Sequence, residues 1–295
     1  MDTKRNLTGY IYTLPAVLYF ILIGLIPMVY ALYMSFHEWN LLSAKEGHVF
    51  VFLKNYINMF RDPIFMRSIL NTLFYALIYV PAGLLLSLIL GVMLNSGIRF
   101  VGVFRTIYFL PYITSGIAVG YIWLWLYEPT FGLFNKILAP IGLASDFLKS
   151  TNTSLISISF VKIWKDLGFQ ILIILAGLQS IPGSIYEAAK IDGANRWNTF
   201  WKITVPMLYP TLSFLAVVGV TRAFQIFDEV YVMTDNGGPL DSARTMVYHI
   251  QETAFKSYEM GYGSAMTFCL FVLIVLITLI QKKFIDRRLG RHYVR

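Results

Sequence analysis

The residues with chemistry to offer in this chain stand where polar chemistry is expensive. Lys162, Trp164, Lys165, Asp166 and Gln170 lie inside an otherwise apolar stretch near residues 155–179. Thr221, Arg222 and Gln225 lie inside another, with Asp228 and Glu229 at its end. Ionisable groups in membrane-length apolar segments are costly and are functional candidates by default. Lys162 and Asp166 are four apart, so a helix brings them within pairing reach. Lys165 either pairs with an acid of another segment or faces a wet cavity. Two readings stay open: neutralisation of charge near an interface, or the lining of a solute path. Trp164, Lys165, Gln170 and Gln225 are the candidate lining residues of such a path. The sequence holds no GxxxxGK[ST] nucleotide loop, no metal-ligand cluster and no triad spacing. His37, His48, His249 and His292 are scattered and read as surface residues. The chain is therefore not an enzyme by itself, and no cofactor or metal is expected in it.

These side chains must be carried by membrane helices. Of 295 residues, 57% are hydrophobic and 14% charged, with a mean hydropathy of +0.63. A soluble domain carries about 25% charged residues. About twenty apolar residues cross the hydrocarbon core as a helix, and closed backbone hydrogen bonding favours helices where barrel-type alternation is absent. Six spans are expected, at about Leu14–Phe36, Ile69–Asn95, Thr106–Tyr127, Leu155–Gln179, Val205–Phe227 and Tyr262–Ile280. The first is long and lacks a small-residue cleavage site, so it is not read as a signal peptide. Pro81, Pro111, Gly116 and Gly120 are points where helix regularity can break. Trp123, Trp125 and Tyr127 read as interfacial or packing aromatics, and Cys269 as an inert packing residue.

The net charge of +8 is unevenly spread. With both termini cytoplasmic, thirteen Lys and Arg fall in 58 inner residues: Lys4, Arg5, Arg99, Arg105, Lys190, Arg196, Lys202 and six beyond Ile280. Only eight fall in 93 outer residues. This is the positive-inside asymmetry. It places both termini in the cytoplasm and makes the tail KKFIDRRLGRHYVR an anchor to anionic lipid before it is a nucleic-acid contact. Outside, FGLFNKILAPIG (131–142) suits an interfacial helix. The 34-residue loop Asp228–Gly261 is acidic and long enough to hold structure of its own.

Between the fourth and fifth spans lies a polar elbow, residues 182–204. Pro182 suits a helix start, and Ser184 and Glu187 have capping-box spacing. Ala188, Ala189 and Lys190 propagate a helix, Asp192-Gly193 stops it, and Asn195 can cap a second helix through Trp197, Phe200 and Trp201. Caps and glycine turns occur in any loop, so the residues alone leave two readings: an ordinary loop or a docking knob.

The stretch EAAKIDGANRWNTFWKITVPMLYP (187–210) resembles the cytoplasmic EAA motif of ABC-importer permeases, EAA-x3-G-x9-I-x-L-P. Glu187, Ala188, Ala189, Gly193, Ile203 and Pro206 match it, and Val205 replaces the Leu. EAAKIDGA with Phe200 and Pro210 is similar to the carbohydrate branch, the maltose-type and glycerol-phosphate-type permeases. IWKDLGFQ (163–170), LAGLQSIP (175–182), FDEVYVMTDNGGP (227–239) and AFKSYEMGYGSA (254–265) agree, so the resemblance covers about residues 10–285.

The resemblance implies an all-α polytopic permease of ABC importer type I fold, a single domain over 1–295 with a core at about 66–281. Its elbow would be the coupling helix, with Glu187, Ala188, Ala189, Asp192 and Gly193 meeting a cytoplasmic ATPase. The expected partners are a second permease, two ATPase subunits that hold ATP and Mg, an extracytoplasmic solute-binding protein, membrane lipid and a sugar. Asp235 and Asp241 of the outer loop are expected to contact the binding protein. Glycerol phosphate or a polyol is the nearest alternative solute. An ion-gradient transporter using Lys162, Lys165, Asp166 and Arg222 is the rival from another class, and a membrane scaffold that transports nothing is a third.

Overall fold

The computed structural model describes residues 12–95, 101–142 and 145–293. Lys4, Arg5, Arg99 and Arg295 lie outside the described residues. The contacts gather the chain into two compact units, Met1–Met66 with His249–Val272, and Arg67–Tyr248 with Leu273–Arg295.

The first helix, α1 (Tyr12–Ser35), is apolar on all sides and almost wholly exposed within the chain. A helix hydrophobic all round belongs in lipid or against other helices. It ends in a minimal antiparallel pair, β1 (His37–Glu38) and β2 (Val49–Phe50), with His37 opposite Phe50. Helix α2 (Lys54–Arg61) locks this end: Asn55 Nδ2 donates to the carbonyls of Ser35 and His37, both at 2.9 Å.

Helix α3 (Pro63–Asn95) runs unbroken through Pro81. The expected third span is not continuous. It divides into α4 (Val101–Ile113) and α5 (Gly116–Leu126), bent by 99° at Thr114-Ser115. Pro111 lies within α4 and Gly116 opens α5, so the irregularity falls between the two residues expected to cause it. A short helix, α6 (Leu133–Leu138), follows and leaves Leu133 and Ile137 exposed, an apolar face suited to a bilayer surface.

Helix α7 (Ser154–Gln179) leads through a 66° bend into α8 (Gly183–Ile191). Helix α9 (Arg196–Met207) is bent by 62° from α10 (Tyr209–Phe224). Among the described residues three helices are long and apolar enough to cross a membrane, and six crossings result if each of the three bent pairs is one span. The segment after α10 is largely helical, with α11 (Asp228–Met233) and α12 (Met246–Gln251), and the last helix is α13 (Met260–Tyr293).

The core of the second unit gathers Tyr75, Tyr79, Trp123, Tyr127, Ile158 and Val230. Gly168 is what lets α4 approach α7, because a Cβ there would overlap the Tyr108 carbonyl. Trp123 and Tyr127 are packing residues at 5% and 4% exposure, whereas Trp125 is 73% exposed as an interfacial aromatic would be.

Candidate functional site: a polar cavity, an outer pocket and the elbow

Residues 162, 165, 166 and 169 share one face of α7 by helical spacing. That face borders a cavity of about 460 Å³ lined by Tyr112, Lys162, Lys165, Asp166, Arg222, Gln225, Asp228 and Glu229, among others. The expected pair forms, with Lys162 Nζ 3.5 Å from Asp166 Oδ1. Lys162 also reaches Glu229 Oε1 at 3.3 Å, and Arg222 reaches Asp166 Oδ2 at 3.9 Å. The Tyr79 hydroxyl donates to the same Asp166 oxygen at 2.5 Å. Asp166 therefore ties α3, α7 and α10 together, and Glu229 adds α11. Arg222 donates to the Tyr112 hydroxyl at 3.0 Å and lies 4.5 Å from the Phe169 ring centre, while Tyr112 stacks on Phe169 at 5.2 Å. The cavity so combines fixed charges, the Tyr112 side chain and the exposed amide of Gln225.

Of the four expected lining residues, Lys165 and Gln225 border this cavity. Trp164 and Gln170 do not. Trp164 stands edge-on to Trp123 at 5.3 Å. Gln170 is buried, accepts from Ser87 Oγ at 3.2 Å and fills the space left by the missing side chain of Gly83. Position 170 lies four residues beyond Asp166, yet its partner is α3, which sequence spacing does not reveal. Tyr112, Asp166 and Glu229 were missing from the candidate lining because nothing local shows that three separate helices converge.

The outer loop separates its two expected contacts. Asp235 is exposed and borders a second cavity of about 400 Å³ with Tyr127, Glu128, Lys149 and Pro239. Asp241 is instead tied to Arg244 Nε at 2.6 Å, and its backbone carbonyl accepts from Asn71 Nδ2 at 2.7 Å. Asp241 holds the loop together, with Asn236, Gly237, Gly238, Leu240 and Asp241 all at positive φ. Two of the supposed surface histidines are buried as well. His37 Nδ1 lies 2.8 Å from the Tyr33 carbonyl, and His249 Nε2 lies 3.7 Å from Asp62.

The elbow is built as two helices joined by one glycine turn. The expected Ser184–Glu187 capping box is absent: Pro182 occupies the N-cap position and no side chain caps the helix. The stop forms as expected. Gly193 has φ +74°, its N–H donates to the Lys190 carbonyl at 3.1 Å, and Ala194 N–H reaches the Ala189 carbonyl at 2.9 Å. These are the paired bonds of a Schellman ending. Asn195 Oδ1 then accepts from Asn198 N–H at 2.8 Å and caps α9. Ile185, Tyr186 and Phe200 pack on Leu178, Ile181 and Leu208, and Tyr186 Oη lies 3.3 Å from Thr204 Oγ1. Successive helical residues diverge by about 100°, so the two alanines do not share a side: Ala188 is exposed and Ala189 is buried. Glu187, Asp192 and Gly193 are exposed with Ala188. Ile191 and Trp197 project beyond them, at 86% and 70% exposure. Two large apolar side chains on a solvent-facing knob signal a partner, and only the structure singles them out.

The family described as "Binding-protein-dependent transport system inner membrane component" matches residues 83–291. The probable ABC transporter permease protein YurN of Bacillus subtilis is 32% identical over 290 residues, covering 96% of this chain and 98% of that protein. The sulfoquinovosyl glycerol transport system permease protein SmoG of Agrobacterium fabrum is 32% identical over 286 residues, covering 97% and 92%. Among solved structures, a chain of a bacterial alginate ABC transporter in complex with an alginate pentasaccharide-bound periplasmic protein aligns with a TM-score of 0.84 and 25% identity, over 98% of this chain and 96% of that one.

Proposed function

The chain belongs to the family of binding-protein-dependent transport system inner membrane components, and from that premise we propose that it is one permease half of an ATP-driven carbohydrate importer in the cytoplasmic membrane. The observation that carries the reading is the elbow. A capped, Schellman-ended helix pair packed onto the membrane core transmits a push, and its exposed Ile191 and Trp197 give an ATPase an apolar grip. Two ATPase subunits hold ATP and Mg and drive the rigid-body change that alternating access needs. A second permease completes the path past Lys165 and Gln225. The extracytoplasmic binding protein meets the outer loops at Asp235. Sugar as solute is supported by the transport named for SmoG and the alginate transporter, and by hydrogen-bonding groups set beside Tyr112. Both termini and the elbow face the cytoplasm. Lys162 and Arg222 both pair with Asp166, a network that the ion-gradient alternative would have to open.

The test is co-purification of this chain with its second permease and ATPase, followed by ATP hydrolysis in lipid with and without sugar-loaded binding protein. A stable assembly with stimulated hydrolysis is expected. Failure to associate with any ATPase, together with gradient-driven uptake by the chain alone, refutes the importer.

A further inference from the structure

We infer that a groove between α4 and α7, at the cytoplasmic end of the crossing, holds an anionic phospholipid, with one acyl chain along α4 and the headgroup phosphate on Arg105. Residues 105, 106, 109, 110 and 113 recur at helical spacing and share one face of α4. With Leu172 of α7 they line a cavity of about 220 Å³. Phe109, Leu110, Ile113 and Leu172 make the lining apolar, and only Arg105 and Thr106 bring polar side chains to it. The Thr106 hydroxyl is already used, donating to the Gly102 carbonyl at 3.1 Å. Arg105 is not satisfied: among the described residues its buried Nε has no hydrogen-bond partner. A buried donor without a partner is costly, the more so on a charged group. No carboxylate lines the groove, and residues 63–127 contain neither Asp nor Glu. Asp166, the one acid of α7, is tied to Lys162, Arg222 and Tyr79.

Depth and charge identify the occupant. Leu172 stands eighteen residues from Ser154, where α7 begins, roughly 27 Å at 1.5 Å per residue. That is close to the far edge of a ~30 Å hydrocarbon core, so the Arg105 guanidinium lies at headgroup level. Ile113 lies eight residues further along α4, roughly 12 Å deeper. The groove therefore runs from the headgroups toward the bilayer centre, charged at one end and apolar along its length, which is the pattern of a lipid. Leu110 and Ile113 are exposed, so the groove opens sideways to an acyl chain. A phosphate presents several acceptor oxygens to the planar fork of a guanidinium, and basic pockets between transmembrane helices on the cytoplasmic side bind such headgroups. The excess of Lys and Arg on that side draws anionic lipid to it. A helix of the second permease would instead have to bring a carboxylate to the same depth. The cytoplasmic side follows from the proposed topology, whereas the groove sits at one end of the crossing in either orientation.

The experiment titrates the assembled importer in detergent with phosphatidylglycerol or phosphatidylcholine of matched chains and reads retained lipid by native mass spectrometry. The native complex is expected to hold phosphatidylglycerol at least tenfold more tightly than phosphatidylcholine, whose choline offsets the phosphate charge. Arg105→Gln should erase that preference. Arg105→Lys, which keeps a charge but lacks the Nε–H, should fall between the two. Ile113→Trp, which fills the deep end of the groove and leaves Arg105 in place, should weaken retention of both lipids several-fold. The inference is overturned if the native complex holds the two lipids equally, if Arg105→Gln keeps the native preference, or if Ile113→Trp holds both as the native complex does. Displacement of phosphatidylglycerol by an equal concentration of inorganic phosphate also overturns it, since the groove then contributes nothing. So does Arg105-dependent retention by the isolated chain but not by the assembly, because the second permease then covers the groove. If Arg105→Gln does not assemble, the full native preference in Arg105→Lys overturns the inference. Assembly and ATP hydrolysis are read on the same preparations. A working ATPase complex without Arg105-dependent retention removes this inference alone, whereas a chain that holds phosphatidylglycerol through Arg105 yet joins no ATPase removes only the importer.

Discussion

Substituting Gly193 isolates the backbone of the elbow from its side chains. Gly193 sits at φ +74°, a region that costs an L-residue about 1–2 kcal/mol. A Cβ placed there meets nothing within 4 Å, so within this chain the penalty is conformational and not steric. A loss of about 1–2 kcal/mol lowers the population of the ordered turn roughly 5–30-fold. Ala should fall at the lower end of that range. Val, whose branched side chain is stiffer, should fall at the upper end. Asn tolerates the left-handed region and should stay within about twofold of glycine. The two Schellman bonds, Gly193 to Lys190 and Ala194 to Ala189, would open first, and α8 would lose its defined end. The assay is ATP hydrolysis by the assembled importer with loaded binding protein, with retained ATPase measured after purification. The expected order is Gly and Asn, then Ala, then Val, with chain insertion unchanged. Full coupling by Gly193→Val refutes the argument. Gly193→Asn as impaired as Val would refute it too, because the defect would then be a clash with the partner.

Four further outcomes follow from particular contacts. Ile191→Ala and Trp197→Ala should each weaken ATPase association about 30-fold, the ~2 kcal/mol of an interface hot spot, and pull-down at graded concentrations would expose a smaller effect. Asp166→Asn removes the carboxylate shared by Lys162, Arg222 and Tyr79 and should destabilise by about 3–5 kcal/mol, read as a lower Tm in detergent. Gly168→Ala would drive a methyl into the Tyr108 carbonyl, an overpacking cost of about 1–3 kcal/mol, and an unchanged melting curve would contradict the α4–α7 packing. Asp235→Lys should cut binding-protein-stimulated hydrolysis several-fold at unchanged Tm. Asp241→Lys should lower the Tm through loss of its Arg244 bridge, and the reverse pattern would exchange their roles.

The sequence by itself determined what depends on composition and local spacing. Apolar length set the six crossings, because about thirty ångströms of hydrocarbon demand about twenty apolar residues. Spacing of four on a helix paired Lys162 with Asp166. Asp192-Gly193 ended α8 and Asn195 began α9 because caps and left-handed turns are chosen by one or two adjacent residues. Tertiary structure decided whatever depends on which helices meet. It set Gln170 in a buried tie with Ser87 and Trp164 against Trp123. It recruited Glu229 and Tyr112 from distant segments to the cavity, and it locked Asp241 while leaving Asp235 free. It also replaced the capping box at Ser184 with a proline start, and it exposed Ile191 while burying Ala189. Burial is a property of the neighbours a side chain acquires on folding, and the residues that supply them at Gln170 and Asp166 lie 83 and 87 positions away.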